Sequence, residues 1–227
     1  MKQVLTEPLF YIYFVYGMSF LLMSFVVFHG TRNASSITLV TTFYMLAGFG
    51  LVHGITELID WLRFILETSG AGELKVLIIF SQSCLITSFV LLLQFGVTLL
   101  TYRSDKKGIY RSLPALLFVA YIAYLFITGT SHIRTAGLIA RRSFGFSGAL
   151  LSGIAFFSLA KSMKVIGHPR LTTGLLVTGT GFLCYAVFGG LLVEPVAGLP
   201  VQLFRAGCAF TIAVYSFSIL EIFRVSK

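Results

Sequence analysis

The stretch Phe49–Leu62, FGLVHGITELIDWL, decides the fold, because it is oily enough to cross a bilayer yet carries His53, Glu57 and Asp60. A charged side chain at the centre of a spanning helix costs about 2.5–3.5 kcal/mol even on the lenient insertion scale, so such groups face protein or water rather than lipid. On a helix, positions i, i+4 and i+7 share one stripe, and residues 53, 57 and 60 have that spacing. Gly50 and Gly54 form a small-xxx-small pair beside the stripe, which lets a neighbouring helix approach closely. The segment therefore reads as a membrane-spanning helix whose polar face is turned into a bundle.

The rest of the chain agrees. Of 227 residues, 57% are hydrophobic and 11% charged, against about a quarter charged in soluble domains, and the mean hydropathy is +0.93. The net charge of +9 would suggest nucleic acid in a soluble protein. Here the basic residues lie mainly between oily runs, where they set orientation and meet anionic headgroups, and no nucleic-acid motif accompanies them. Cys84, Cys184 and Cys208 each sit inside an apolar run with no CxxC, which points to small buried hydrophobes rather than a disulfide framework or a zinc site. The first oily run lacks a small-residue cleavage site, so it is expected to remain as a helix.

A helix needs about twenty apolar residues to cross the hydrocarbon core. Seven segments qualify, at about 8–29, 37–64, 75–101, 112–129, 143–163, 171–193 and 201–223, and Gly/Ser-rich stretches such as HGTRNASS and ETSGAGE separate the first three. Pro114 is placed in the first turn of the fourth, where a missing N–H does no harm. The expectation is an all-α, seven-helix polytopic membrane protein forming a single domain over 1–227. Ten of the 17 basic residues fall on the side of the C-terminus, among them Arg103, Lys106, Lys107 and Arg111 in one connection and Lys161, Lys164 and Arg170 in another. By the positive-inside rule the N-terminus lies outside and the C-terminus in the cytoplasm.

Six of the eight acidic residues fall on the outer side of that arrangement, where Arg141, Arg142 and Arg205 also lie. Both signs of charge in the outer half are what a polar pocket requires, and His53, Glu57, Asp60, Arg141, Arg142 and Arg205 are its candidate ligand or switch residues. Arg205, entering from the outer end of the seventh helix, reaches a depth similar to Glu57, so an Arg–Glu pair is expected there or with Arg141. Such a pair either closes the bundle or acts as a switch. His53 reads either as the partner of an interhelical hydrogen bond or as a ligand. No HExxH or HxxxH occurs and the other histidines are scattered, so no metal site is assigned. A haem at His53 stays open but lacks a second ligand at matching depth. No GxSxG, P-loop or GxGxxG is present, the last helix has no retinal-type lysine, and no catalytic residue is assigned.

Three stretches carry a resemblance. YFVYGMSFLLMSFVVF (Tyr13–Phe28), FGLVHGITELIDWL and the closing FRAGCAFTIAVYSFSILEIF (Phe204–Phe223) resemble the N-terminal multi-helix input region of bacterial membrane-bound sensor histidine kinases and diguanylate cyclases. Tyr16-Gly17-Met18-Ser19-Phe20 matches that region's helix-one pattern. Phe49-Gly50-Leu51-Val52-His53-Gly54 with Glu57 matches its helix-two pattern, and Leu58 stands where those proteins carry tryptophan. ARRSFGFSGALL (Ala140–Leu151) is similar to their arginine-bearing entry to a later helix, with Arg141 at the arginine position and Ser147 in place of proline. The resemblance implies that Leu220, Glu221 and Phe223 form the junction to a cytoplasmic output. It also implies either an isolated input region or a stand-alone relative acting through a kinase or cyclase partner, with a homodimer compatible.

Three functions are thus carried forward. The first is a signal-input module detecting a lipid, a quinone, a small hydrophobic ligand or pH. The second is a haem- or redox-cofactor-binding membrane protein. The third is a lipid-handling enzyme or transporter using His53 and Glu57 as a proton-exchanging pair.

Overall fold

The computed structural model describes residues 7–32, 37–70, 74–102, 104, 107–128, 133–192, 194–196 and 198–222. Helices α1 (Pro8–Arg32), α2 (Ile37–Thr68), α3 (Lys75–Leu100) and α4 (Lys107–Thr128) are uninterrupted. The fifth, α5, is compound: Ile133–Ala140 is α-helical, Arg141–Gly145 is a π-helical turn, and Phe146–Ile166 returns to the α form. The sixth, α6, is α-helical over Pro169–Tyr185 and closes in a second π-helical turn, Ala186–Leu191; α7 is Val201–Ile222. All seven are long and apolar enough to cross a membrane. Among the described residues there is no strand, only an isolated bridge between Val196 and Leu199 in the turn before α7.

Local chemistry explains the ends. Gly167 takes φ +79°, a left-handed conformation that suits glycine, and its N–H returns to the Lys164 carbonyl to finish α5. Pro169 then starts α6, where its fixed φ is preset and its missing N–H is one that no helix start can use.

Six helices close a ring in the order α1, α2, α3, α5, α6, α7, with α7 packed back on α1. Close approach of the small residues sets the α1–α2 seam. A Cβ on Gly54 would lie 3.0 Å from the Gly17 carbonyl oxygen, and one on Gly50 would lie 2.9 Å from that of Phe20. Gly148 of α5 lies so close to α3 that an added Cβ would sit 2.7 Å from the Leu93 nitrogen. Helix α4 stays outside the ring, packed on α3 and pinned to α5 where the Tyr121 hydroxyl donates to the Ala136 carbonyl at 2.8 Å. The core is aromatic-rich, with Phe20, Phe43, Phe49, Phe89, Phe95 and Phe156 all at most 1% exposed. The outer surface is apolar instead, with Val119 64% and Ile127 85% exposed. Apolar surface on this scale does not persist in water. Seven helices long and apolar enough to cross a membrane, with an oily exterior, point to a multi-pass membrane bundle.

Two expectations need correction. Helix α5 begins at Ile133 rather than near residue 143, because the Arg141–Arg142 pair does not mark a boundary: the backbone runs through it as a π-helical turn. Pro114 lies in the second turn of α4 rather than the first, since the helix starts back at Lys107. The other ends shift by a few residues, with α1 reaching Arg32, α2 reaching Thr68 and α6 stopping at Leu191.

Candidate functional site: a sealed polar nest around His53

His53 occupies the middle of α2 and is 0% exposed. Its ring is walled by Phe20, Phe49 and Phe89, with centroids at 4.5, 5.3 and 5.2 Å. Both ring nitrogens are engaged. Nδ1 lies 3.0 Å from Ser88 Oγ on α3. Nε2 lies 3.0 Å from the Tyr185 hydroxyl on α6 and 3.2 Å from the Tyr16 hydroxyl on α1. Four helices therefore converge on one imidazole.

The hydrogen bonds fix the tautomer of the neutral ring. Ser88 donates its only hydroxyl proton to the Leu85 carbonyl at 2.7 Å, and a carbonyl can only accept. Ser88 Oγ must then accept from His53, so Nδ1 carries the hydrogen and Nε2 presents a lone pair. One in-plane lone pair takes one good donor. Tyr185, at the shorter distance, fills that role, and Tyr16, which also interacts with the Tyr185 hydroxyl, stands second. The result is a directed chain from tyrosine through imidazole to serine that ends on a backbone carbonyl.

Glu57 lies one turn along α2 and is 2% exposed. Its Oε1 is 3.5 Å from His53 Nε2, and its carboxyl also interacts with the Tyr16 hydroxyl. Oε1 nevertheless has no hydrogen-bond partner. Among the described residues no ion pair joins Glu57 to Arg141 or Arg205, although the fields of both arginines reach it. Arg141, in the π-helical turn of α5, lays its guanidinium 5.7 Å from the Phe89 ring centroid. Its Nη1 is buried and, like Glu57 Oε1, has no partner.

Arg205 has a different job from the one expected. Its Nε donates to the Phe188 carbonyl at 2.6 Å and its Nη2 to the Leu192 carbonyl at 2.8 Å. A π-helical turn at a helix end leaves carbonyls without their usual i+4 partners, and a planar guanidinium can serve two at once. The Phe188 and Phe204 rings stack beside this clamp, 4.9 Å apart. Helix α7 is thus bolted to the second π-helical turn, which comes directly after Tyr185.

The remaining sequence candidates sit elsewhere. Asp60 is tied to Arg63 at 3.0 Å and accepts from Ser81 at 2.8 Å, a separate cluster toward the end of α2. Arg142 is exposed. Gly50 and Gly54 line the α1–α2 seam, and Leu220 packs on Gly30 of α1. Phe223 and the side chain of Glu221 lie outside the described residues. Among the described residues no group of three His, Cys, Asp or Glu could hold a metal. Sequence reading left Ser88 and Tyr185 out of the site and used Tyr16 only as a pattern residue. Comparison with protein-family models, curated proteins and solved structures returned no match.

Proposed function

We propose that this chain is a membrane-embedded signal-input module whose stimulus acts at the His53 nest and whose output leaves through α7. One observation carries the reading: an unbroken set of direct contacts from the nest to the last helix. His53 holds Tyr185, Tyr185 abuts the π-helical turn Ala186–Leu191, and that turn's Phe188 carbonyl is held by Arg205 of α7. Such turns recur at functional sites, and relaxing one to α-helix shifts the register of the downstream chain by about one residue. A change in the hydrogen bonding of Tyr185 thereby acts on a bistable element, and Arg205 passes the change to a 22-residue helix. The oriented bundle is read with its N-terminus outside and its C-terminus in the cytoplasm of a bacterial cell, facing a kinase or cyclase partner.

The other readings fit the nest less well. A haem ligated by His53 would have to displace two tyrosine hydroxyls from Nε2. A proton-transporting or acid–base role finds support in the 3.5 Å separation of His53 from Glu57. Yet the chain of hydrogen bonds stops at the Leu85 carbonyl, which can accept a proton's hydrogen bond but cannot pass the proton on. The test is a chimera joining this segment to a diguanylate cyclase output. Tyr185→Phe, Glu57→Gln and Arg205→Ala should each change cyclase output several-fold, while Glu67→Gln, on the exposed end of α2, should not. Unchanged output from all three, at normal membrane levels, rules the reading out.

A further inference from the structure

We infer that a single hydroxyl group, from water or from a membrane-dissolved alcohol or phenol, bridges Glu57 Oε1 and Arg141 Nη1 inside the nest. The inference rests on the signal-input reading and names the chemistry that its site would recognise. Two buried polar atoms lack partners there, and they are complementary: one is a carboxyl oxygen that accepts, the other a guanidinium nitrogen that only donates. Leaving either unsatisfied in a low-dielectric interior carries the full desolvation penalty of the group, which is larger when the group is charged. Both groups border the nest: Glu57 Oε1 lies 3.5 Å from His53 Nε2, and the Arg141 guanidinium lies 5.7 Å from the centroid of Phe89, whose ring is 5.2 Å from that of His53. They are more than 4 Å apart, because no ion pair forms between them.

The shape of that deficit selects the ligand. A bridging group must donate to Glu57 and accept from Arg141 at nearly the same point, which a hydroxyl does with one atom. A ketone, quinone or ether oxygen accepts from Arg141 but has no hydrogen to give to Glu57 Oε1. A carboxylate or phosphate would add negative charge beside Glu57. An ammonium could serve Glu57 but would face Arg141 and could accept nothing. The α5 side is the least enclosed: Arg141 as a whole is only half-buried, while His53, Tyr16 and Tyr185 are sealed. The site therefore distinguishes a phenol or quinol from the corresponding ether or quinone.

The experiment uses the full chain in lipid nanodiscs, with 4-hexylphenol as probe and its methyl ether, 4-hexylanisole, as the acceptor-only control. Phenol bound at the bridge raises Tm progressively with the logarithm of its concentration, the ether does not, and Glu57→Met and Arg141→Met abolish the rise. Arg141→Lys, which keeps a donor, weakens the rise and serves if Arg141→Met does not fold. If phenol has no effect, the water source predicts an infrared O–H band that shifts in H₂¹⁸O and is lost in both variants. Equal stabilisation by the ether, a phenol response that survives Glu57→Met, or neither a phenol response nor such a band each overturns the inference. None of these measurements reads cyclase output, so this inference and the signalling reading can fail separately.

Discussion

Removing the two tyrosine hydroxyls that face His53 should destabilise the bundle by more than the sum of the single losses. In Tyr185→Phe, Nε2 loses its nearer donor, but the Tyr16 hydroxyl, 3.2 Å away, can take its place. The net loss is that of one ordinary hydrogen bond, about 0.5–1.5 kcal/mol. Tyr16→Phe leaves Tyr185 in position and is expected to lie in the same range. In the double variant Nε2 is a buried acceptor on a residue with 0% exposure and no donor, which adds an unsatisfied-group penalty of about 1–3 kcal/mol. The coupling free energy is therefore expected at about 1–2 kcal/mol, outside the roughly 0.5 kcal/mol scatter of independent sites. Unfolding in mixed micelles titrated with SDS supplies the four free energies of the cycle. A His53→Phe background, which removes the shared acceptor, should reduce the coupling to what the direct contact between the two hydroxyls carries. Additive losses, or coupling undiminished without the imidazole, would show that the hydroxyls do not compete for Nε2.

Other parts of the structure set further outcomes. Gly54→Leu forces α1 from α2, because even a Cβ would lie 3.0 Å from the Gly17 carbonyl oxygen; a loss of about 1–3 kcal/mol or failure to accumulate in the membrane is expected. Arg205→Ala leaves the Phe188 and Leu192 carbonyls without their donor and should cost about 2–4 kcal/mol, whereas Arg205→Lys, lacking the planar fork, should recover only part, as read by the same SDS titration. The purified protein should show no Soret band; one that disappears in His53→Ala would restore the haem reading. A reporter active only in the cytoplasm, fused after Lys227, should be active, and activity of a periplasm-only reporter there would reverse the orientation.

The spans were legible because a bilayer imposes a length, and apolar runs of about twenty residues announce themselves. The inward face of α2 was legible for the related reason that a titratable group in such a run must be sheltered. Tyr16, Ser88 and Tyr185 carry no comparable signal: each is one polar atom on a side chain otherwise at home in an apolar helix, and their convergence depends on which helices are neighbours. The Gly189–Gly190 pair just after Tyr185 was the one local hint of an irregular helix end. The π-helical turns misled the reading of both arginines. Arg141 and Arg142 stand just before the apolar run that begins near residue 143, so hydropathy alone starts α5 too late. Arg205 is matched to Glu57 by charge and depth, whereas the carbonyls it serves, those of Phe188 and Leu192, lie in and just after the Ala186–Leu191 turn, where a helix end leaves acceptors free.

The contact between His53 and Tyr185 joins residues 132 positions apart, which matters for how the protein is made. At about 5–20 residues per second, translation delivers Tyr185 roughly 7–26 s after His53. During that interval α1, α2 and α3 can insert and bring Tyr16 and Ser88 to the imidazole, but the side later filled by α6 and α7 is open. A nascent chain paused or truncated before α6 therefore holds a half-built polar cluster with one side uncovered. Arrival of α6 supplies the last donor, and α7 then locks against α1, so the residues that make up the nest also mark the moment when the ring of helices is sealed.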